Sequence, residues 1–294
     1  MTDNEPWTIG RLLKWTTDYL QTQGSDSARL DAELLLASAC DCQRIVLYTR
    51  FDEVVDDSIR SQFRALVKKR SAGMPVAYLL GFKEFYSLEF KVDQNVLIPR
   101  PETEHLVIET LDRLKLYQGD SPARVIDVGT GSGAVAITLA KESPQTELTA
   151  VDISKPALNI AHKNAVKHQV QDRIRLLESD LMTNLPEQEQ FDFVVSNPPY
   201  IGENEKPEMP RDVLDFEPHI ALFAEEEGLA LIRRLVEESK TRLVPGGWLL
   251  MEMGPVISDR AVEIITNSGG YQQIEVVKDL AQLPRILVAQ RALN

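Results

Sequence analysis

Four short stretches place chemistry-bearing side chains in one order along the chain. Gly129-Thr130-Gly131-Ser132-Gly133 follows the apolar run Val125-Ile126-Asp127-Val128, and Asp152 closes Thr149-Ala150-Val151. Asp180-Leu181 follows Ile174–Glu178, and Asn197-Pro198-Pro199-Tyr200 ends Phe191–Val195. Three glycines in five residues let backbone approach a ligand closely and leave N–H groups at a helix start. Read as Gly129-x-Gly131-x-x-Ala134, the turn also fits a dinucleotide fingerprint, so alone it leaves the cofactor class open. A carboxylate about twenty residues on, at Asp152, can accept from both hydroxyls of an adenosine ribose. The competing reading makes Asp152 a helix cap, a position for which Ser154 is better placed. Asp180 can accept an exocyclic adenine amine, or serve only as a turn residue.

The Asn-Pro-Pro-Tyr stretch carries the reaction. An amide nitrogen or a base amine is a poor nucleophile because its lone pair is delocalised, so it must be oriented and its hydrogens need acceptors. The Asn197 side-chain oxygen and the Pro198 backbone carbonyl offer two acceptors, and the Pro198-Pro199 pair fixes them without a competing donor. Tyr200 presents a flat face to a planar amide or base. Positive charge growing on the attacked nitrogen then meets two carbonyl dipoles already aimed at it, and no strong base is required.

These groups need strands that end on one edge. Strands are expected at Arg124–Val128, Glu147–Val151, Ile174–Glu178, Phe191–Val195 and Trp248–Glu252. Helices are expected near 133–142, 155–168, 226–242 and 258–268, the third opened by Glu225-Glu226-Glu227. Such alternation implies a mostly parallel sheet covered on both faces, with ligands outside the carboxyl ends of its strands. Ile274-to-Arg291 holds two strand-like runs with no helix between, which reads as an antiparallel terminal hairpin. Residues 1–75 read as short helices, carried by Ile9, Leu12, Leu13 and Leu20, by Leu30, Leu34 and Leu35, and by Ile59, Phe63, Leu66 and Val67. Residues 82–100 alternate at Phe85, Leu88, Phe90 and Val92 and read as paired strands. The expected organisation is a helical domain at 1–75, a hairpin linker at 76–101 and an α/β domain at 102–294.

Composition removes several classes of function. The net charge is −13, and residues 1–75 carry 10 basic and 11 acidic side chains, so the excess lies in the remainder. A broad grip on a phosphate backbone needs a basic face, and the basic cluster Lys68-Lys69-Arg70 reads as the solvated side of a helix, so no direct nucleic-acid partner is expected. Cys40 and Cys42 have neither redox nor zinc spacing, and His105, His162, His168 and His219 do not cluster with them, so no metal site is expected. No apolar run approaches a membrane span and the first residues lack a signal-peptide core, which makes the expected compartment the cytoplasm.

In this order, DVGTGSG, VDIS, SDLM and NPPYI resemble class I S-adenosylmethionine-dependent methyltransferases that act on planar nitrogens. With LIPRPETE at 97–104, GFKEFYSLEF and the helical N-terminus, the whole chain resembles the HemK/PrmC family. The resemblance implies a Rossmann-like seven-stranded, mostly parallel sheet with an antiparallel terminal hairpin, behind a five-helix domain and a hairpin. It implies methyl transfer from S-adenosyl-L-methionine, leaving S-adenosyl-L-homocysteine, to the side-chain amide of the Gly-Gly-Gln glutamine in class-1 peptide chain release factors. Gly129, Thr130, Gly131, Ser132 and Gly133 would wrap the methionine portion, Asp152 would hold the ribose, and Asp180 with Leu181 would flank the adenine. Asn197 would touch cofactor and substrate, and Pro198, Pro199 and Tyr200 would complete the amide site. Leu181 departs from the aromatic residue the family often has. Arg100 and Glu104 lie in the signature beside the pocket, where an ion pair between them is one expectation. The partner would be a protein and the chain a monomer. Three other readings differ: N-methylation of an adenine or guanine base in DNA or RNA, a nicotinamide-dependent dehydrogenase, and a non-enzymatic binding module.

Overall fold

The computed structural model describes residues 6–293. The chain divides into two compact units, one holding the residues up to Gly81 with Pro210–Phe216, the other Phe82–Met209 with the residues from Glu217 onward.

The first unit is helical: α1 (Ile9–Thr22), α2 (Ala28–Ala39), α3 (Arg44–Thr49), α4 (Asp57–Ser71) and α5 (Val76–Leu80), with the short helix Arg211–Phe216. The Thr8 hydroxyl caps α1 by accepting from the Arg11 N–H at 3.3 Å, and Gly24 follows the helix in the left-handed region at φ 85°. Ile9, Leu12, Leu13 and Leu20 are buried as their spacing predicts. On α2 the core residues are Ala32, Leu35 and Leu36, while Leu30 is exposed and two acids take buried positions. Asp31 accepts from Ser25 and Ser27, each at 2.8 Å, and from Arg70 Nε at 2.7 Å. Arg70 is therefore not part of a solvated basic face. A carboxylate taken out of water needs a paired cation, and Arg70 turns inward to supply it.

The second unit opens with β1 (Phe82–Phe85) and β2 (Leu88–Lys91), antiparallel across Tyr86-Ser87. Both turn residues have positive φ, 50° and 59°, as a two-residue hairpin turn of this hand requires. Phe85 and Phe90 are fully buried in the same cluster as Val125, Ile137 and Phe193, which roots the hairpin in this unit's core.

Then follow α6 (Glu104–Lys115), β3 (Arg124–Val128), α7 (Ala134–Glu142), β4 (Glu147–Asp152), α8 (Lys155–Lys167), β5 (Ile174–Glu178) and β6 (Phe191–Ser196). After α9, the helix Arg211–Phe216 of the first unit, come the single turn α10 (Glu225–Gly228), α11 (Ala230–Arg242), β7 (Leu243–Glu252), α12 (Ser258–Ser268), β8 (Tyr271–Lys278) and β9 (Pro284–Arg291). The sheet has seven strands in the order β5-β4-β3-β6-β7-β9-β8. β3 to β7 pair in parallel, and β9 runs antiparallel to both β7 and β8. Strand residues alternate between two buried clusters. Val125, Phe193, Val195, Leu250 and Ile286 face one, and Ile126, Val194, Leu249, Met251 and Leu287 the other.

Two expected elements differ. β7 begins at Leu243, five residues early, because Pro245-Gly246-Gly247 forms an irregularity inside the strand: Phe191 pairs with Leu243, and the next partners are Phe193 and Trp248. The helix expected from 226 begins at Ala230, because Glu226 and Glu227 take φ of 53° and 56°. Their carboxylates pair with Arg233 and Arg260 rather than with a helix N-terminus.

One buried amide ties hairpin to sheet. Asn164 of α8, wholly buried, accepts from the Lys91 N–H at 2.7 Å and donates to the carbonyls of Lys91 at 3.0 Å and Ser132 at 2.8 Å. Asn164→Ala should cost about 1–3 kcal/mol in urea unfolding, because the removed amide leaves part-buried backbone groups unpaired. A cost below about 0.5 kcal/mol, the range of an indifferent surface change, would contradict this.

Candidate active site

The order β4-β3-β6 brings the carboxyl ends of strands from both halves of the sheet together, where the chain's direction of travel across the sheet reverses. Open α/β sheets bind ligands at this point. The N–H groups of Gly129 and Thr130 both donate to the Val151 carbonyl at 2.9 Å, which folds the glycine turn over the end of β4. Gly131 sits at φ 55°, and a Cβ there would meet nothing within 4 Å, so the turn faces open space. At Gly133 a Cβ would come within 2.8 Å of Ile137 Cδ1 and 3.3 Å of Ala161 Cβ, so this glycine serves helix packing.

Asp127 lies beneath the turn. Its Oδ2 accepts from the Thr130 hydroxyl at 2.7 Å and the Ala136 N–H at 3.2 Å. Burial pushes its carboxyl up to about 6 despite both bonds, and the nearby Asp152 adds to the rise. Asp152 accepts from the N–H groups of Gly131 and Ser154, each at 2.8 Å, while the Ser154 hydroxyl caps α8 through Ala157. The carboxylate thus braces the glycine turn, and burial raises its pKa. Asp180 points to α11, where its Oδ2 accepts from Arg234 at 3.0 Å. Leu181 takes a left-handed φ of 47° and packs on the core cluster of the α11 face.

At the end of β6, the Ser196 hydroxyl donates to the Val128 carbonyl at 2.7 Å and locks β6 to β3. Asn197 Nδ2 donates to Thr103 Oγ1 at 3.0 Å, which fixes the donor end of its amide and leaves Oδ1 as the acceptor end. Pro198 is buried and Pro199 half-buried. The Tyr200 hydroxyl donates to Glu252 Oε1, at the end of β7, at 3.1 Å. The ring lies against Gly254, where a Cβ would stand 3.2 Å from two ring carbons. The backbone is held as well. The Ile201 N–H donates to the Leu222 carbonyl at 3.1 Å, and the Ala224 N–H donates to the Ile201 carbonyl at 3.0 Å. A Cβ on Gly228, at φ 89°, would collide with the Tyr200 carbonyl, so only glycine fits there.

Glu252 was not singled out from sequence. It is 1% exposed, and its Oε2 has no hydrogen-bond partner among the described residues. Burial pushes its carboxyl up, against the hydroxyls of Thr103 and Tyr200. Burial and the Glu252 charge push the Tyr200 phenol up in turn, so it stays a hydrogen-bond donor. Thr103, Asp127 and Asn164 were missed too. Each is an ordinary core-compatible type whose role depends on a partner far away in sequence. The expected Arg100–Glu104 pair does not form. Arg100 pairs with Glu217 at 2.5 Å, whose other oxygen accepts from the Ile98 N–H at 3.1 Å, while Glu104 accepts from the Tyr86 N–H at 2.8 Å. The hairpin turn's free N–H and the buried Glu217 draw the two signature residues apart.

Residues 11–81 match the model of the PrmC N-terminal domain, and residues 103–213 that of the methyltransferase small domain. The chain is 49% identical to a release factor glutamine methyltransferase of Rhodopirellula baltica, over 99% of this chain and 98% of the relative. It is 42% identical to a protein of the same name from Koribacter versatilis, over 93% of this chain and 95% of the relative. Among solved structures, a T. thermophilus 16S rRNA N2 G1207 methyltransferase in complex with AdoMet and guanosine shares the fold. Its TM-score is 0.52 at 19% identity, covering 71% of this chain and 49% of that one.

The Asp127 environment fixes a pH dependence. A carboxyl whose pKa is higher folded than unfolded binds its proton more tightly in the folded chain, so its contribution is full below the unfolded value of 3.8 and is lost as pH rises through about 6. Asp127→Asn should therefore gain stability relative to the parent across that window in denaturant unfolding. Stability curves that run parallel through it would show that Asp127 titrates normally.

Proposed function

The chain belongs to the release factor glutamine methyltransferase family, and from that membership we propose that it methylates the side-chain amide nitrogen of the glutamine in the Gly-Gly-Gln motif of class-1 peptide chain release factors. The observation that carries this reading is the Asn197–Thr103 and Tyr200–Glu252 pairing at the end of β6, beside the open face of the glycine turn. An amide requires two acceptors and a flat wall, and Asn197 Oδ1, the Pro198 carbonyl and the Tyr200 ring are residues of those kinds on one rigid stretch.

The donor set fits S-adenosylmethionine. The glycine turn opens onto space that a Cβ would leave empty, and Asp152 ends β4 with a carboxylate already fixed by two N–H groups. Gly129 to Gly133 would hold the amino-acid end, Asp152 the ribose hydroxyls, and Leu181 one face of the adenine. Asp180 would have to share its carboxylate between Arg234 and the adenine amine. When bound, the cofactor supplies an electrophilic methyl group and leaves as S-adenosyl-L-homocysteine.

The chain's own part is alignment. Thr103 holds the Asn197 amide so that its oxygen accepts a substrate N–H, and Pro198 adds a second acceptor that no local donor competes for. Glu252 anchors the Tyr200 hydroxyl and so fixes the plane against which the substrate amide lies. Preorganised dipoles stabilise the positive charge growing on nitrogen without being reoriented during the step. The helical unit is read as the part that recognises the body of the release factor, and the chain as a cytoplasmic monomer. The relatives' names favour this protein substrate over a nucleic-acid base.

Purified release factor incubated with the chain and S-adenosylmethionine should gain one methyl group, located by mass spectrometry on the Gly-Gly-Gln glutamine and absent when that glutamine is alanine. A methyl group elsewhere, or transfer that nuclease treatment abolishes, would refute the assignment. Glu252→Ala should lower kcat about 10–100-fold, because the buried Tyr200 hydroxyl loses its acceptor at a cost of about 1–3 kcal/mol. Glu252→Gln, which keeps a carbonyl there, should recover most of the rate. Equal losses in both variants would show that the charge matters rather than the anchoring.

A further inference from the structure

The helical unit carries a cavity that methyl transfer does not use. It measures about 490 Å³ and is lined by Trp7, Trp15, Thr16, Tyr19, Arg60 and Phe63 among others. Trp15 stacks on Tyr19 with ring centroids 5.3 Å apart and meets Trp7 edge-on at 6.5 Å, yet it remains 49% exposed. A half-exposed tryptophan held in place by two other rings is an apolar wall that the described residues leave open on one side.

Two polar atoms on the lining have no partner among the described residues: Thr16 Oγ1, on a residue 1% exposed, and Arg60 Nε. A threonine inside a helix ordinarily bonds the carbonyl one turn back, and this one does not. The Arg60 guanidinium is held by its ion pair with Asp57, which fixes a cation on the cavity lining. Arg64 and Lys68 add exposed positive charge, and among the described residues no carboxylate lines the cavity, in a chain whose net charge is −13.

We propose that this cavity is a socket for the protein substrate, taking one aromatic or branched aliphatic side chain from a segment whose neighbouring residues are acidic. The proposal rests on the protein-methyltransferase reading above. Trp, Tyr and Arg are the residue types that most often anchor protein interfaces, and three of the six lining residues named here are Trp or Tyr. The positive edge selects an acidic flank and speeds encounter with it.

Trp15→Ala and the double variant Arg64→Glu/Lys68→Glu, both at exposed positions, test the socket in the full chain. Each should raise KM for whole release factor about tenfold or more, as loss of an interface anchor does. Each should leave kcat, and KM for a short Gly-Gly-Gln peptide, unchanged. An unmoved KM for the whole factor in both variants overturns the proposal, as does an equal rise with the peptide. A dimer seen by light scattering in the parent chain and lost in Trp15→Ala would also overturn it, by assigning the cavity to a second copy. If the parent chain methylates neither substrate, the reaction assignment is what fails. Calorimetric binding of whole factor to parent and variants then decides the socket separately, with weakened binding in both variants supporting it and equal binding refuting it.

Discussion

The parallel pairing of β3 with β6 is the constraint on which the catalytic unit depends. Val125 to Val128 lie beside Phe193 to Ser196, and the chain leaves the two strands toward opposite halves of the sheet. Their carboxyl ends therefore open a crevice that neither half can close. One side of it is the glycine turn and the other is Asn197. The Ser196 hydroxyl on the Val128 carbonyl fixes the separation of the two ends. Both faces of these strands are buried, so a slip in register would expose core residues and drive Asp127 away from the helix start it serves.

From that crevice outward, each candidate group is held by a second group. Asp152 grips the glycine turn by backbone N–H groups, Thr103 orients Asn197, Glu252 anchors Tyr200, and Gly228 makes room for the Tyr200 carbonyl. Several of these supports carry an energetic cost. Asp127 and Glu252 are buried carboxyls with raised pKa values, and Glu226, Glu227 and Leu181 accept left-handed backbone. Such costs are tolerated where a rigid, preformed arrangement matters more than local stability.

Much of this was legible in the sequence. The parallel strands, the terminal hairpin and α12 follow from period-2 and period-3.6 patterns that burial enforces directly. The glycine turn, Asp152 and the Asn-Pro-Pro-Tyr stretch stand out because their residue types are costly anywhere else. What escaped depended on partners distant in the chain. Nothing local distinguishes Glu252 or Thr103, because their meaning comes from Tyr200 and Asn197. Arg100 and Glu104 suggested a pair by proximity, yet Glu217 and the Tyr86 N–H are the nearer partners in space. Pro245-Gly246-Gly247 carries no strand pattern of its own, and only pairing with β6 on either side of it keeps the strand continuous.

The central claim of the proposed function is that Asn197, beside the contact expected with the cofactor, aligns and stabilises the attacked amide. The direct measurement is the single-turnover rate of methyl transfer to whole release factor by Asn197→Ala, with cofactor affinity determined by calorimetry on the same sample. The account predicts a rate loss of about 100-fold or more, the scale seen when one preorganised group is removed from a charge-developing site, with cofactor affinity little changed. A rate close to that of the parent chain, or a loss matched by an equal fall in cofactor affinity, would contradict it.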